Sequence, residues 1–471
     1  MIVFGSLGDL GLARAIAPPV VDDGTLGPAL ALASHAGPPD ATEQRSVCAV
    51  AGQSTPTLDA PVAQKILNLP DAWRFSHGEG QKVAVIDTGV NRHIRLPNLQ
   101  PGGDFVSDSD GTVDCDAHGT LVAGLIAAQP GADDGFSGVA PASTILAIRQ
   151  LSSAYQKKGS GANEPGSIAD TGYGTVLSLA AAVVRAVDLG ATVINLSEDS
   201  CSPPGGDRPD GVLGAAVKYA FDRNVVVVAA AGNLEQGTGC DTQNTSAGWN
   251  AVQTIVTPAW FGPYVLSVAS VDNDGQPSGF SMHGPWVGVA APGTKLISLD
   301  NKPGGTGLVD SVLGSSGPLP LDGTSFSSAY VSGVAALVRA RFPELNAGQV
   351  IERIERTALN PASGRDDLVG YGLVDPVAAL TAQLPTTPVA AGADVPRMHP
   401  PLPTPPYVDP LPRRIAEIGS LVLLGVFAVG YLTSIPYRRD RRRALGTVDQ
   451  FDLDAPAAIG GRRDSQTLEG Q

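Results

Sequence analysis

The sequence predicts an α/β fold, a mostly parallel central sheet flanked by helices. Two observations carry that expectation. Between about Val62 and Leu384, short apolar runs alternate with longer runs of helical period. Polar turn residues also stand directly after two of the apolar runs. Asp87-Thr88-Gly89 follows Val83–Ile86, and Gly232-Asn233 follows Val225–Ala230. Reactive groups in such sheets gather beyond the C-terminal ends of strands, so both places point to one cleft.

Composition sets the outer bounds. The 471 residues suffice for one large domain plus appendages. A formal net charge of -15 argues against a nucleic-acid partner, which would want a basic face. A charge-poor, acidic chain with 57 Gly suits a secreted enzyme. The four cysteines, Cys48, Cys115, Cys201 and Cys240, include no Cys-x-x-Cys pair, which argues against a zinc ribbon. Dispersed cysteines in an exported chain imply two disulfides. Four allow three pairings. Cys201 and Cys240 flank one helix and one strand and can close that local excursion. The expected pairs are therefore Cys201–Cys240 and Cys48–Cys115.

Taken in order, residues 1–15 end in Ala13-Arg14-Ala15 and read as a partial signal peptide. The apolar run Met1-Ile2-Val3-Phe4 is short, Asp9 interrupts the segment, and no basic residue precedes it. Either the start lies upstream or export uses another signal. Residues 16–70 lack sustained periodicity. They read as an N-terminal extension lying on the main domain and held by Cys48, rather than as a compact folding segment. Residues 71–384 form the main domain. Its expected strands are Val83–Ile86, Thr144–Arg149, Thr192–Leu196, Val225–Ala230 and Tyr264–Ser270. Its expected helices are His118–Ala128, Thr175–Leu189, Val212–Arg223, Ser325–Ala340 and Ala347–Thr357. Ser152–Gly174, rich in Gly, Ser and Lys, reads as an inserted loop with a possible gating or partner role. Residues 385–412 hold ten prolines and form a stiff linker. As polyproline II it would span on the order of 80 Å. Residues 415–435, IAEIGSLVLLGVFAVGYLTSI, carry one charge, Glu417, and match a transmembrane helix. Arg438, Arg439, Arg441, Arg442 and Arg443 follow, so the polar tail 436–471 is expected on the cytoplasmic side.

Three stretches carry chemistry. Asp87 ends an apolar strand. His118, in Asp116-Ala117-His118-Gly119-Thr120-Leu121-Val122-Ala123-Gly124, opens a helix of small residues. Ser325, in Gly323-Thr324-Ser325, sits at the start of an apolar helix, beside unpaired N–H groups and the positive dipole end. Asp, His and Ser in that order are one known arrangement of a catalytic triad. With Asp-Thr-Gly, His-Gly-Thr-x-Val-Ala-Gly and Gly-Thr-Ser together, the sequence resembles the subtilisin-like serine peptidases. The resemblance implies that Ser325 attacks a peptide carbonyl, that His118 takes and returns the proton, and that Asp87 fixes the imidazole. It also implies that Asn233 donates its amide to the oxyanion. Ala329 stands where the family commonly has Pro, which affects preorganisation rather than chemistry. His93 lies near Asp87 but lacks the following Gly-Thr and helix, and reads as structural. No oxygen-rich cage for calcium is recognisable, so neither metal nor cofactor is expected.

The whole layout narrows the likeness. An extension, two disulfides, the peptidase domain, a Pro-rich linker, one C-terminal membrane helix and a basic tail resemble the mycosins, membrane-anchored serine peptidases of type VII secretion systems. That resemblance implies protein substrates, limited processing, a secretion membrane complex as partner, and a peptidase domain on the outer face of the cell membrane. It also leaves a second reading, in which the chain chiefly stabilises the complex.

Overall fold

The computed structural model describes residues 16–159, 172–205, 210–314, 317–384 and 418–433. The chain divides into two compact units, Met1–Thr386 and Thr387–Gln471. The first is organised on seven strands: β1 (Lys82–Asp87), β2 (Leu99–Asp104), β3 (Thr144–Arg149), β4 (Val193–Leu196), β5 (Val226–Ala230), β6 (Val265–Val271) and β7 (Val287–Pro292). Their order across the sheet is β7-β6-β5-β4-β1-β3-β2, and every neighbouring pair is parallel. From β1 the chain runs out to the β2 edge and back through β3. It then crosses to the other side of β1. The direction of winding reverses at β1, and a cleft opens beyond its C-terminal end, where Asp87 lies.

Both faces of the sheet are covered. Val83 and Val85 point into one core, Ala84 and Ile86 into the other. Ile145 and Ala147 alternate with Leu146 and Ile148 in the same way. A strand buried on both faces must be apolar at every position, which is why the central strands read as continuous apolar runs. Six helices matter here: α1 (Gly27–Ala33), α2 (His118–Ala127), α3 (Val176–Asp188), α4 (Gly211–Asp222), α5 (Thr324–Arg341) and α6 (Ala347–Thr357). Residues of α2, α5 and α6 fill the first core, and residues of α1, α3 and α4 the second. Thr324 through Val338 of α5 are all buried. A helix enclosed on all sides fixes its N-terminus, and with it Ser325.

The two edge strands, β2 and β7, are absent from the sequence reading. β2 is Leu-Gln-Pro-Gly-Gly-Asp, and its register shifts between Pro101 and Gly103. Pro lacks an N–H and is tolerated only where one side needs no partner, as at an edge. β7 is Val-Gly-Val-Ala-Ala-Pro, ended by its own proline.

The extension lies on the main domain through backbone pairing. Thr42–Gln44 pairs antiparallel with Tyr155–Lys157, and Ala51–Gln53 with Leu308–Gly314. Ala29 and Ala33 of α1 join the α3 core, and Arg185 of α3 donates to the Ala33 carbonyl at 3.4 Å. The stretch 152–174, read as a loop, therefore contains a strand that receives the extension; residues 160–171 lie outside the described residues. Residues 1–15, the linker 385–412 and the tail 436–471 lie outside them too. Of the expected span 415–435, residues 418–433 are described. They form a helix, and Leu421, Leu424 and Phe427 on it are exposed. Among the described residues, no helix is long and apolar enough to cross a membrane.

Candidate active site

Asp87, His118 and Ser325 come together beyond the sheet. Asp87 is the last residue of β1 and fully buried; His118 is the first of α2; Ser325 is the second of α5. His118 Nδ1 lies 2.8 Å from Asp87 Oδ1 and 3.0 Å from Oδ2. His118 Nε2 lies 2.9 Å from Ser325 Oγ. A carboxylate can only accept, so Nδ1 carries the proton and Nε2 faces the serine as the acceptor. Burial pulls the imidazole down, but the charges of Asp87, Glu198 and Asp114 outweigh it and lift His118 to about 9. The Phe326 ring lies 5.2 Å from the imidazole, centroid to centroid.

The motif residues around the three groups explain themselves locally. Thr88 Oγ accepts from the Gly119 N–H at 2.9 Å and donates to Asp114 at 2.9 Å. It ties the end of β1 to the start of α2. Gly119 has no alternative: a Cβ there would stand 2.0 Å from the Gly89 carbonyl oxygen. Asp114 is the hub of the loop before His118. It accepts from the N–H groups of Asp116, Ala117 and Thr120, and from the Thr88 and Thr120 hydroxyls. Burial raises its carboxyl to about 6 despite the Thr120 and Thr88 hydrogen bonds. Ala117 itself is left-handed at φ 72°. That conformation is costly for a residue with a Cβ and persists only where surrounding contacts enforce it.

Asn233 stands three residues past β5. Its Oδ1 accepts from the Thr324 N–H at 3.0 Å and the Thr324 hydroxyl at 3.2 Å. A backbone N–H can only donate, so the atom facing it is the oxygen, and Nδ2 is the end turned elsewhere. The threonine of Gly-Thr-Ser thus orients the asparagine amide. Behind the nucleophile, Ser328 Oγ donates to the Ser325 carbonyl at 2.8 Å, and Ser332 Oγ donates to Asn195 Oδ1 at 2.8 Å. Asn195 is fully buried in β4, so it pins α5 to the sheet.

Glu198, not singled out from the sequence, also enters the cleft. Its Oε1 is 3.8 Å from His118 Nδ1. Burial, then the charge of Asp87, push its carboxyl well above the ordinary range, with His118 opposing. His93 stays out of the relay; its Nδ1 accepts from the Arg95 N–H at 3.1 Å. The cysteines form Cys48–Cys115 and Cys201–Cys240. Among the described residues, two groupings hold metal-ligand types, Asp199 with Cys201 and Cys240, and Asp87 with His118 and Glu198. The first offers disulfide sulfurs and the second is the relay, so neither is a plausible ion cage.

Fold and site together define a subtilisin-type serine endopeptidase. Residues 78–372 match the family model described as Subtilase family. Mycosin-1 of Mycobacterium tuberculosis (strain ATCC 25618 / H37Rv) is 45% identical over 450 residues, covering 92% of this chain and 95% of that protein. MycP1 from the ESX-1 type VII secretion system superposes with a TM-score of 0.72 at 45% identity, over 80% of this chain and 99% of that one. A chain of an intact ESX-5 inner membrane complex superposes at 0.72 with 42% identity, over 89% of this chain and 100% of that one. The chain belongs to the subtilase family and, within it, to the mycosins.

Proposed function

We propose that Asp87, His118 and Ser325 hydrolyse peptide bonds through an acyl-enzyme, with Asn233 as oxyanion donor, in the limited processing of type VII secretion substrates. The hydroxyl of Ser325 is a weak nucleophile and needs a base. His118 Nε2, 2.9 Å away, takes its proton as Oγ attacks the carbonyl carbon. Asp87 keeps the imidazole in the accepting tautomer and stabilises the imidazolium that forms. The tetrahedral oxyanion receives the Asn233 Nδ2–H and the Ser325 N–H at the start of α5. The imidazolium then gives its proton to the leaving amine. Water repeats the sequence on the ester and releases Ser325.

The observation that carries this reading is the unbroken relay from a buried carboxylate to a helix-start serine. The partner and the location rest on relatedness. The neighbour in the ESX-5 inner membrane complex supports a secretion complex as partner and a membrane-associated site. Within that reading, residues 71–384 are the peptidase domain, 385–412 a spacer, 415–435 a single membrane span and 436–471 a cytoplasmic tail. A serine-directed fluorophosphonate tests the chemistry: the label is expected on Ser325. Labelling at another residue, or none on the folded protein, would overturn it. In the native host, Ser325→Ala should abolish substrate cleavage. Secretion scored separately then separates catalysis from a stabilising role in the complex.

A further inference from the structure

Two carboxylates, not one, address the same nitrogen of His118. Asp87 Oδ1 lies 2.8 Å from Nδ1 and Glu198 Oε1 lies 3.8 Å from it. Nδ1 has a single proton, and the short contact assigns it to Asp87. Glu198 therefore acts on the imidazole through its charge alone. It stands two residues beyond β4, and its side chain is 24% exposed. Among the described residues it makes no other hydrogen bond or ion pair. The groups facing it are Asp87, His118, Asp199 and Asp116, and those facing His118 also include Asp114, Ser325 and Phe326. No cation other than the imidazolium is in either set.

We infer that Glu198 restrains this peptidase, holding the proton on His118 so that the base becomes free only at higher pH than Asp87 alone would require. The inference rests on the relay proposed above. A negative charge beside the ring stabilises the imidazolium, and only the neutral imidazole can take the Ser325 proton. Both groups are raised from their ordinary values, burial and neighbouring carboxylates lifting Glu198, and Asp87 with Glu198 lifting His118 against burial. The same charge favours the imidazolium of the transition state, and Glu198 carries it only once its own raised carboxyl has ionised, so the restraint acts between the ionisation of Glu198 and the deprotonation of His118.

The rate of Ser325 labelling by a fluorophosphonate, followed against pH on the full chain, reads the base without any need for the natural substrate. Glu198→Gln removes the charge and keeps the shape. Its acid limb should move down by up to roughly one pH unit, making labelling just below the limb faster by up to about tenfold, and the two profiles should converge at lower pH, where Glu198 is protonated. Glu198→Asp retains a charge and should stay close to the parent. The alkaline plateau of each variant reports that the site is folded. A Glu198→Gln profile lying on the parent's, or a Glu198→Asp limb displaced as far as that of Glu198→Gln, would overturn the inference while leaving the relay intact. A parent protein that does not label on Ser325 would overturn the relay, and this inference with it.

Discussion

Thr324 shows what a motif letter means physically. Its N–H and hydroxyl both hold Asn233 Oδ1, so the residue before Ser325 aims the amide proposed as the oxyanion donor. Asn233→Ala should lower kcat about 10²–10³-fold with KM little changed, because the donor bonds a charge present only in the transition state. Steady-state kinetics on a peptide substrate decides it, and an unchanged kcat removes Asn233 from that role. Asp114 belongs to the same scale. Asparagine there would turn an NH₂ toward N–H and O–H donors that now share a carboxylate. Asp114→Asn should cost about 3 kcal/mol of stability, read as a lower denaturation midpoint, with activity lost alongside. Asp87, His118, Ser325 and Asn233 could be singled out from the sequence because the chemistry proposed for them demands fixed residue types at sharp local turns. Asp114 and Glu198 were not, since no local pattern marks them. Glu198 meets His118 only because β4 and β1 are neighbours in the sheet.

At the scale of elements, legibility followed burial. β3 matched its expected bounds residue for residue, and the other central strands and the five main helices did so to within one or two residues. Those strands are apolar on both faces, and the helices carry long apolar runs or, in Ala347–Thr357, apolar residues Val350, Ile351 and Ile354 at helical spacing. The strands of the extension left no such trace. Thr42–Gln44 and Ala51–Gln53 are fastened by backbone hydrogen bonds, to which side-chain periodicity is blind. The disulfides act on the same pieces. Cys48–Cys115 closes 67 residues and Cys201–Cys240 closes 39. By loop entropy each contributes about 4 kcal/mol. Replacing Cys48 and Cys115 together by Ser should therefore lower stability by about that amount and expose the extension to limited proteolysis ahead of Lys82. A fragment pattern identical to the parent's would show that strand pairing alone holds the extension. Non-reducing peptide mapping should recover both pairs, and a Cys48–Cys240 peptide would refute them.

For the whole molecule, the single-pass reading proposed above predicts which side of a membrane each end occupies. The segment 415–435 is apolar apart from Glu417, and its described part, 418–433, is helical with its large side chains exposed. Under the single-pass reading proposed above, Leu421, Leu424 and Phe427 would lie against lipid tails, which are as apolar as leucine. Charge then sets the orientation. Arg413 and Arg414 precede the span, whereas Arg438, Arg439, Arg441, Arg442 and Arg443 follow it within a few residues. In that reading the larger cluster is expected inside. The disulfides agree, since both lie in residues before the span and persist only in an oxidising compartment. Protease added to spheroplasts should remove the catalytic domain and leave an epitope placed after Arg443 protected. If the epitope were digested and the domain spared, the orientation would be inverted. His118 and Ser325 would then face the cytoplasm, and processing of exported substrates on the outer face would fail as a reading.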